Sequence, residues 1–162
     1  MRLGVWKTLL KIRHLKRYAQ SEVSRSNAMP PIQLLLVEDS PGDVLLIREA
    51  LRHGPVEVDV TIAEDGPQAL ALLNDGFQPD LIILDLGIPR LDGYAVLERI
   101  MPSPMPVFVF TWAVEGAERA IALGAREVIK KPSDLTAYVK AVCKIVEKFA
   151  GSRGTNVAAA ST

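Results

Sequence analysis

The stretch Leu81-Ile82-Ile83-Leu84-Asp85 is a short apolar run that ends in a carboxylate, and a loop of residues 86–93 with two glycines follows it. Four consecutive apolar residues are typical of a parallel strand that is buried on both faces. A carboxylate at the end of such a strand can act as a nucleophile or a metal ligand, but it can equally cap a helix or form a turn. Taken alone, Asp85 does not decide between these roles.

Apolar runs of strand length alternate with amphipathic stretches of helix length from Pro31 onward. The predicted strands are residues 32–37, 56–62, 81–84, 107–110 and 127–129, and the predicted helices are residues 43–52, 67–74, 94–100, 115–123 and 134–149. Ser40 and Pro41 predict the start of the first helix, as its cap and first-turn proline. The second strand alternates apolar and polar residues, which predicts a position at the sheet edge. Five strand-helix repeats predict an α/β fold with helices on both faces of a parallel sheet.

The composition is that of an ordinary soluble domain. The chain has 162 residues, of which 49% are hydrophobic and 23% charged, enough for one domain with a proper core. No apolar stretch approaches the ~20 residues of a membrane span, so a membrane partner is not expected. The single cysteine, Cys143, excludes a disulfide framework and a cysteine metal site.

The two ends of the chain are predicted to lie outside the folded domain, which we place at residues 30–150. Residues 1–28 contain seven basic residues and one acidic residue, although the whole chain has a net charge of zero. The remainder is therefore acidic, which argues against nucleic acid as its main partner. The basic leader could be an amphipathic membrane or partner anchor, a disordered arm, or a non-native extension before Met29; we favour the last two. Residues 151–162 are predicted to be a disordered tail.

Chemically active side chains stand at the ends of four predicted strands. They are Glu38 and Asp39, Asp85, Thr111, and the pair Lys130 and Lys131. The carboxyl ends of parallel strands meet at one edge of a sheet, where ligands bind. Several carboxylates at such an edge repel each other unless a cation neutralises them, and a set of oxygen ligands favours Mg²⁺.

The remaining strand-end residues suit a phosphoryl group. Transfer onto Asp85 would need a donor for the phosphoryl oxygens and a fixed positive charge, which Thr111 and a lysine could supply. Neighbouring residues of a strand face opposite ways, so only one of Lys130 and Lys131 can enter the site. The spacing does not choose between them.

This arrangement resembles the receiver domains of two-component response regulators, over about residues 32–149. The motifs that carry the resemblance are Val37-Glu38-Asp39-Ser40, Asp85-Leu86-Gly87-Ile88-Pro89 with Asp92-Gly93, Thr111, Gly124-Ala125 and Lys131-Pro132. Residues 37–44 are also similar to the single-domain regulators associated with bacterial phytochromes. The resemblance implies a flavodoxin-like receiver fold, with a five-stranded parallel sheet in the order 2-1-3-4-5.

The resemblance also implies a role for each site residue. Asp85 would be the phosphoacceptor and a metal ligand, Glu38 and Asp39 would hold Mg²⁺ directly or through water, and the Gly87 carbonyl would be a further ligand. Lys131 would pair with the phosphoryl oxygens, and its bond to Pro132 is often cis in the family. Thr111 would move toward the phosphoryl group and report its presence.

These roles predict a stand-alone cytoplasmic receiver rather than an enzyme, apart from assisting its own phosphorylation and dephosphorylation. A histidine kinase, with a phytochrome-type sensor as one candidate, would supply the phosphoryl group, and an unknown downstream protein would receive the signal. A homodimer is also plausible from the family. Two alternatives remain open: a degenerate receiver that is a constitutive interaction module, and a small Mg²⁺-dependent phosphohydrolase. The second lacks a general acid, because Gly87 stands two residues after Asp85.

Three features depart from the family's pattern. Trp112 stands after Thr111, where a small residue normally leaves access for the phosphodonor. Val128 occupies the position of the switch aromatic and has no ring to rotate. The connection from Thr111 to Gly124 is short, so the fourth helix is expected to be trimmed or shifted.

Overall fold

A computed structural model gives the fold of residues 30–159, with side chains described as far as Arg153. The strands are β1 (Ile32–Val37), β2 (Val58–Ala63), β3 (Leu81–Leu84), β4 (Val107–Thr111) and β5 (Glu127–Lys130). The helices are α1 (Pro41–Arg52), α2 (Gly66–Asn74), α3 (Gly93–Ile100), α4 (Ala117–Ala122) and α5 (Leu135–Ala159). The basic leader of residues 1–28 lies outside the described residues, so its three interpretations stay predictions.

All strand pairs in the sheet are parallel, and the strand order is β2-β1-β3-β4-β5. The prediction of a five-stranded parallel sheet in the order 2-1-3-4-5 is confirmed. The second strand lies at an edge, as its alternating pattern predicts. The central strand β3 is flanked by β1 and β4, so Asp85 follows the strand in the middle of the sheet.

Two apolar layers cover the faces of the sheet. Ile32, Leu34 and Leu36 of β1 pack in the layer that contains α1 and α5, whereas Leu35 and Val37 pack in the layer that contains α2, α3 and α4. This alternation follows from the two-residue period of a strand. The four residues of β3 are at most 1% exposed, and each contributes roughly 1.5–3 kcal/mol by its burial. The middle of the sheet is therefore a rigid base for the residues that follow it.

Side-chain caps fix the starts of the helices next to the sheet edge. The Ser40 hydroxyl accepts a hydrogen bond from the Asp43 N–H at 3.3 Å, and Pro41 occupies the first turn of α1. The prediction for Ser40 and Pro41 is confirmed. Asp92 caps α3 in the same way, through the Ala95 N–H at 2.8 Å. As a result, α1 and α3 begin immediately beside the carboxyl ends of β1 and β3.

The last helix is longer than its prediction. The sequence pattern ends it near residue 149 and predicts a disordered tail of residues 151–162, whereas α5 continues to Ala159. Polar contacts support the start of this extension: the Ser152 hydroxyl donates to the carbonyl of residue 149 at 2.7 Å, and Arg153 pairs with Asp80 at 3.0 Å. Glycine, serine, threonine and asparagine are weaker helix formers than alanine or leucine but do not prevent a helix. The helix therefore extends past its predicted end, and the disorder of residues 151–162 stays a prediction.

Two smaller expectations have different outcomes. The fourth helix is trimmed, as expected, because α4 has only six residues. The Lys131–Pro132 bond is not cis; within residues 30–159 the cis bond is Met101–Pro102. Even with 25 residues, α5 is not apolar enough to cross a membrane, and neither is any other helix in the described part of the chain.

Candidate functional site

A cleft opens at the carboxyl edge of the sheet, where the predicted site residues meet. Its lining includes Glu38 and Asp39 after β1, Asp85 and Gly87 after β3, and Thr111 at the end of β4. The remaining lining residues are Ser40, Asp43, Leu86, Tyr94, Trp112, Ala113 and Glu115. The parallel topology thus brings together residues that are far apart in the sequence.

Lys131 lies at the base of this cleft and contacts three carboxylates. Its Nζ atom is 2.6 Å from Glu38 Oε2, 2.8 Å from Asp43 Oδ2 and 2.6 Å from Asp85 Oδ2. The lysine side chain is 0% exposed. An ammonium has three N–H donors, so each donor has a carboxylate partner. We call these four residues, Lys131 with Glu38, Asp43 and Asp85, the lysine cluster.

The register of the last two strands determines which lysine enters the site. Lys130 pairs with Thr111 at the end of the β4–β5 ladder, and its side chain is exposed. The Lys131 N–H donates to the Thr111 carbonyl at 2.8 Å, which fixes the next residue beside the cleft. Lys131, rather than Lys130, is therefore the lysine that enters the site.

The loop after β3 holds the Asp85 carboxylate through backbone groups. The Gly87 N–H donates to Asp85 Oδ1 at 3.0 Å, and the Gly93 N–H donates to the Leu86 carbonyl at 3.1 Å. A Cβ atom on Gly93 would lie 2.5 Å from the Leu86 Cα atom, so this close return of the loop requires glycine. Both oxygens of Asp85 have a fixed donor, Oδ1 from Gly87 and Oδ2 from Lys131.

The charges of the lysine cluster change the proton affinity of its members. Burial alone would lower the pKa of Lys131, but the hydrogen bonds from its ammonium to the three carboxylates outweigh burial and raise the pKa. Burial raises the pKa of Glu38 by more than its contact with Lys131 lowers it. One ammonium therefore faces three carboxyl groups, and its single positive charge cannot neutralise all three when they are ionised.

The donor set of the cleft fits a hard divalent cation. Carboxylate oxygens of Glu38, Asp43 and Asp85 lie within 4.8 Å of one another, and all three residues are buried. Oxygen-only sites with an excess of negative charge favour Mg²⁺ over softer metals. Asp39 is exposed and lines the rim of the cleft, and Gly87 also lines it; their roles as metal ligands stay predictions.

Asp43 is a site residue that the sequence analysis missed. It occupies the first turn of α1, where an acidic residue is commonly explained as a favourable partner of the helix dipole. The signal that could have found it is its position five residues after Glu38, on a helix that starts at the carboxyl end of β1. Its side chain is only 11% exposed, unlike that of an ordinary surface residue at a helix start.

The residues from 112 to 123, which we call the β4–α4 segment, lie beside the lysine cluster. Residues 112–116 are all exposed, and Trp112 is 50% exposed. The Tyr94 hydroxyl donates to the Glu115 carbonyl at 3.0 Å, and the Arg119 guanidinium lies 4.5 Å from the centre of the Tyr94 ring. Tyr94 thus ties the segment to α3.

Val128 packs in an apolar layer of the sheet. It pairs with Val109 in the sheet and packs half-buried in the layer of α2, α3 and α4. Because valine has no ring, the aromatic switch that the resemblance implies at this position is not available to this chain.

Comparison with known proteins identifies relatives of this chain. A model of the family described as "Response regulator receiver domain" matches residues 34–143. The protein-glutamate methylesterase/protein-glutamine glutaminase of Symbiobacterium thermophilum is 41% identical over 109 residues, covering 64% of this chain and 30% of that protein. The chain thus spans about a third of the length of the curated methylesterases that it matches.

Solved structures resemble the chain over most of its length. The phosphorylated cyanobacterial phytochrome response regulator RcpA has a TM-score of 0.71 and 30% identity, covering 76% of this chain and 96% of RcpA. The Mn²⁺-bound form of response regulator Rcp1 has a TM-score of 0.66 and 31% identity, covering 71% of this chain and 91% of that structure. In sequence, response regulator Rcp1 of Synechocystis sp. is 38% identical over 92 residues, covering 51% of this chain and 63% of Rcp1.

Proposed function

Because the chain belongs to the response regulator receiver family, we propose that it accepts a phosphoryl group on Asp85 and then changes its protein partners. The donor is a phosphorylated histidine of a partner kinase. An oxygen of Asp85 bonds to phosphorus while the bond from phosphorus to the histidine nitrogen breaks, and the nitrogen keeps the bonding electron pair. The product is an acyl phosphate on Asp85.

The observation that carries this proposal is the contact between Lys131 and Asp85 at the base of the cleft. The 2.6 Å separation of Lys131 Nζ and Asp85 Oδ2 puts a fixed positive charge where negative charge would collect on the phosphoryl oxygens. Backbone donation from Gly87 orients the second oxygen. Thr111 lines the same cleft and supplies a hydroxyl for the transferred group.

Mg²⁺ is the cofactor that we propose for this reaction. Glu38 and Asp85 would hold it, with Asp39 and the Gly87 carbonyl as further ligands at the rim. When bound, the ion would supply the positive charge that neutralises the phosphoryl oxygens. The oxygen-only donor set supports this assignment, as does the similarity to Rcp1, of which a Mn²⁺-bound form is known.

The similarity to the cyanobacterial phytochrome response regulator RcpA supports a phytochrome-type histidine kinase as the partner. We further propose a downstream protein, or a second copy of the chain, as the recipient of the signal, in the cytoplasm and without nucleic acid or a membrane. The methylesterase activity of the longer relatives is not assigned to this chain, because the matched part is a receiver domain. Its own chemistry is limited to assisting phosphorylation and dephosphorylation.

Labelling of Asp85 variants tests the proposal. The chain is incubated with Mg²⁺ and either acetyl phosphate or a phosphorylated histidine kinase, and phosphorylated protein is separated by phosphate-affinity electrophoresis. We expect labelling of the parent and of Asp80→Asn, a control at the opposite end of β3, and its loss in Asp85→Asn and in EDTA. Equal labelling of Asp85→Asn would contradict the assignment, and no labelling of any folded variant would favour a constitutive interaction module.

A further inference from the structure

Asp43 is a buried carboxylate that is neither the proposed phosphoacceptor nor one of the four residues proposed to hold Mg²⁺. Acidic residues in the first turn of a helix often bond back to the cap residue, but here the Ser40 N–H donates to Glu38 Oε1 at 3.1 Å instead. The cap therefore needs only the backbone of Asp43, whose N–H donates to the Ser40 hydroxyl. The Asp43 side chain is left to act inside the cleft.

One oxygen of Asp43 joins the lysine cluster to the surface. Asp43 Oδ2 accepts from Lys131 Nζ at 2.8 Å and from the Trp112 indole Nε1 at 3.3 Å. The Trp112 ring centre is 5.9 Å from the same Nζ atom. A fully buried ammonium and a half-exposed indole thus share one acceptor atom.

A second polar group faces the cluster from α5. Tyr138 is 2% exposed, its ring packs edge-on to Phe110 at 5.1 Å, and its hydroxyl has no hydrogen-bond partner among the residues that the structure describes. Burial, followed by the negative charges of Asp43 and Glu38, raises the pKa of Tyr138. Asp43 therefore has polar neighbours other than Lys131.

We propose that Asp43 is a positioning residue, which holds Lys131 before phosphorylation and couples the state of the lysine to Trp112. This inference rests on the proposed function. The ammonium has three donors and three carboxylate partners, so a phosphoryl oxygen on Asp85 is a further acceptor in competition for them. The bond to Asp43 is the one that yields, because Asp43 Oδ2 keeps the Trp112 indole as a donor when the lysine turns away.

The coupling gives the chain a route to its surface that does not need an aromatic residue at Val128. When Lys131 turns to the phosphoryl group, the indole becomes the main donor to Asp43 and is drawn toward the cleft. Trp112 then alters the start of the β4–α4 segment. The indole is therefore expected to become less accessible to solvent on phosphorylation.

Tryptophan fluorescence tests the contact first without a phosphoryl group. The chain has two tryptophans, so Trp6→Phe leaves Trp112 as the single reporter. In this background, Asp43→Ala should increase acrylamide quenching of Trp112, and Asp43→Asn, which keeps an acceptor oxygen, should restore the parent value. The matched control Asp134→Ala, which removes a cap at the start of α5, should not change it. Equal quenching in Asp43→Ala and the parent would overturn the contact.

Beryllofluoride with Mg²⁺, a mimic of the phosphoryl group, tests the coupling. Binding is followed by ¹⁹F NMR and Trp112 by quenching in the same samples. We expect quenching to fall in the Trp6→Phe parent and in Asp134→Ala, and this response to be lost in Asp43→Ala that still binds beryllofluoride. A bound ¹⁹F signal with no Trp112 response in the parent would overturn the coupling and leave the proposed function standing. No bound signal in any variant would overturn both.

Discussion

The lysine cluster and the β4–α4 segment are neighbours, but they differ in burial and in the contacts that hold them in place. Lys131 is fully buried with three charged partners, whereas residues 112–116 are exposed and tied to α3 through Tyr94. Segments with few buried contacts open at a lower free-energy cost than the core. The lysine cluster is therefore the rigid region. The β4–α4 segment is the region that a small change in the cluster can move.

Replacing Lys131 should have the largest effect, because it leaves three buried carboxylates without their shared positive charge. We expect Lys131→Met to lose about 3 kcal/mol of unfolding free energy in EDTA, the size typical of breaking a buried ion pair. The raised pKa of Lys131 means that its contribution is fully present at neutral pH and is lost only as pH rises through that raised pKa.

Urea denaturation measures this change. Added Mg²⁺ should restore more stability to Lys131→Met than to the parent, because the ion neutralises the carboxylates that the lysine no longer balances. Equal unfolding free energies of Lys131→Met and the parent in EDTA would contradict this prediction. The lysine cluster would then not be the more stable of the two regions.

A change in the β4–α4 segment should have a smaller and local effect. Gly116 has a φ angle of 84°, and a Cβ atom there would collide with the Tyr94 hydroxyl. We expect Gly116→Ala to cost about 1–2 kcal/mol and to speed amide hydrogen exchange in residues 112–123, with less change in β3.

The control is Gly42→Ala in the first turn of α1, where a Cβ atom meets only an ordinary contact with Ser40 at 3.8 Å. It should leave exchange in the β4–α4 segment unchanged. If Gly116→Ala speeds exchange in β3 as much as in the segment, the two regions are not separate in stability.

The pH dependence of protein stability tests whether Glu38 carries a buried charge in the lysine cluster. Because its pKa is raised in the folded state, the folded protein binds the proton more tightly, and stability falls as pH rises from the ordinary pKa through the raised one. Glu38→Gln removes this fall, so its melting temperature in EDTA should gain on that of the parent as pH rises from the ordinary pKa of a glutamic acid through the raised one. A constant difference across this range would contradict the buried charge.

The smallest expected effect is in the last part of α5. Arg153 pairs with Asp80 while both side chains are partly exposed, and such pairs contribute up to about 1 kcal/mol. Arg153→Ala should change overall stability by less than this and speed exchange in residues 151–159. Lys148→Ala, which removes an exposed pair with Glu127, serves as the control and should not affect those residues.

The sheet could be predicted from the sequence better than the details of the site. Leu81–Leu84 was delimited correctly because a short apolar run between polar residues is most simply a buried strand. The choice between Lys130 and Lys131 needed the β4–β5 register, which no local pattern encodes. Asp43 was missed because its partner Lys131 is 88 residues away in sequence, and a helix-start acid has an ordinary local explanation.

Chemical trapping of the phosphorylated residue tests the central claim most directly. The chain is phosphorylated with acetyl phosphate and Mg²⁺, reduced with borohydride, which converts an aspartyl phosphate to homoserine, and mapped by peptide mass spectrometry. We expect homoserine at position 85 and none in the sample prepared in EDTA. Homoserine at Asp39 or Asp43 instead, or its absence from a folded and Mg²⁺-treated chain, would contradict it.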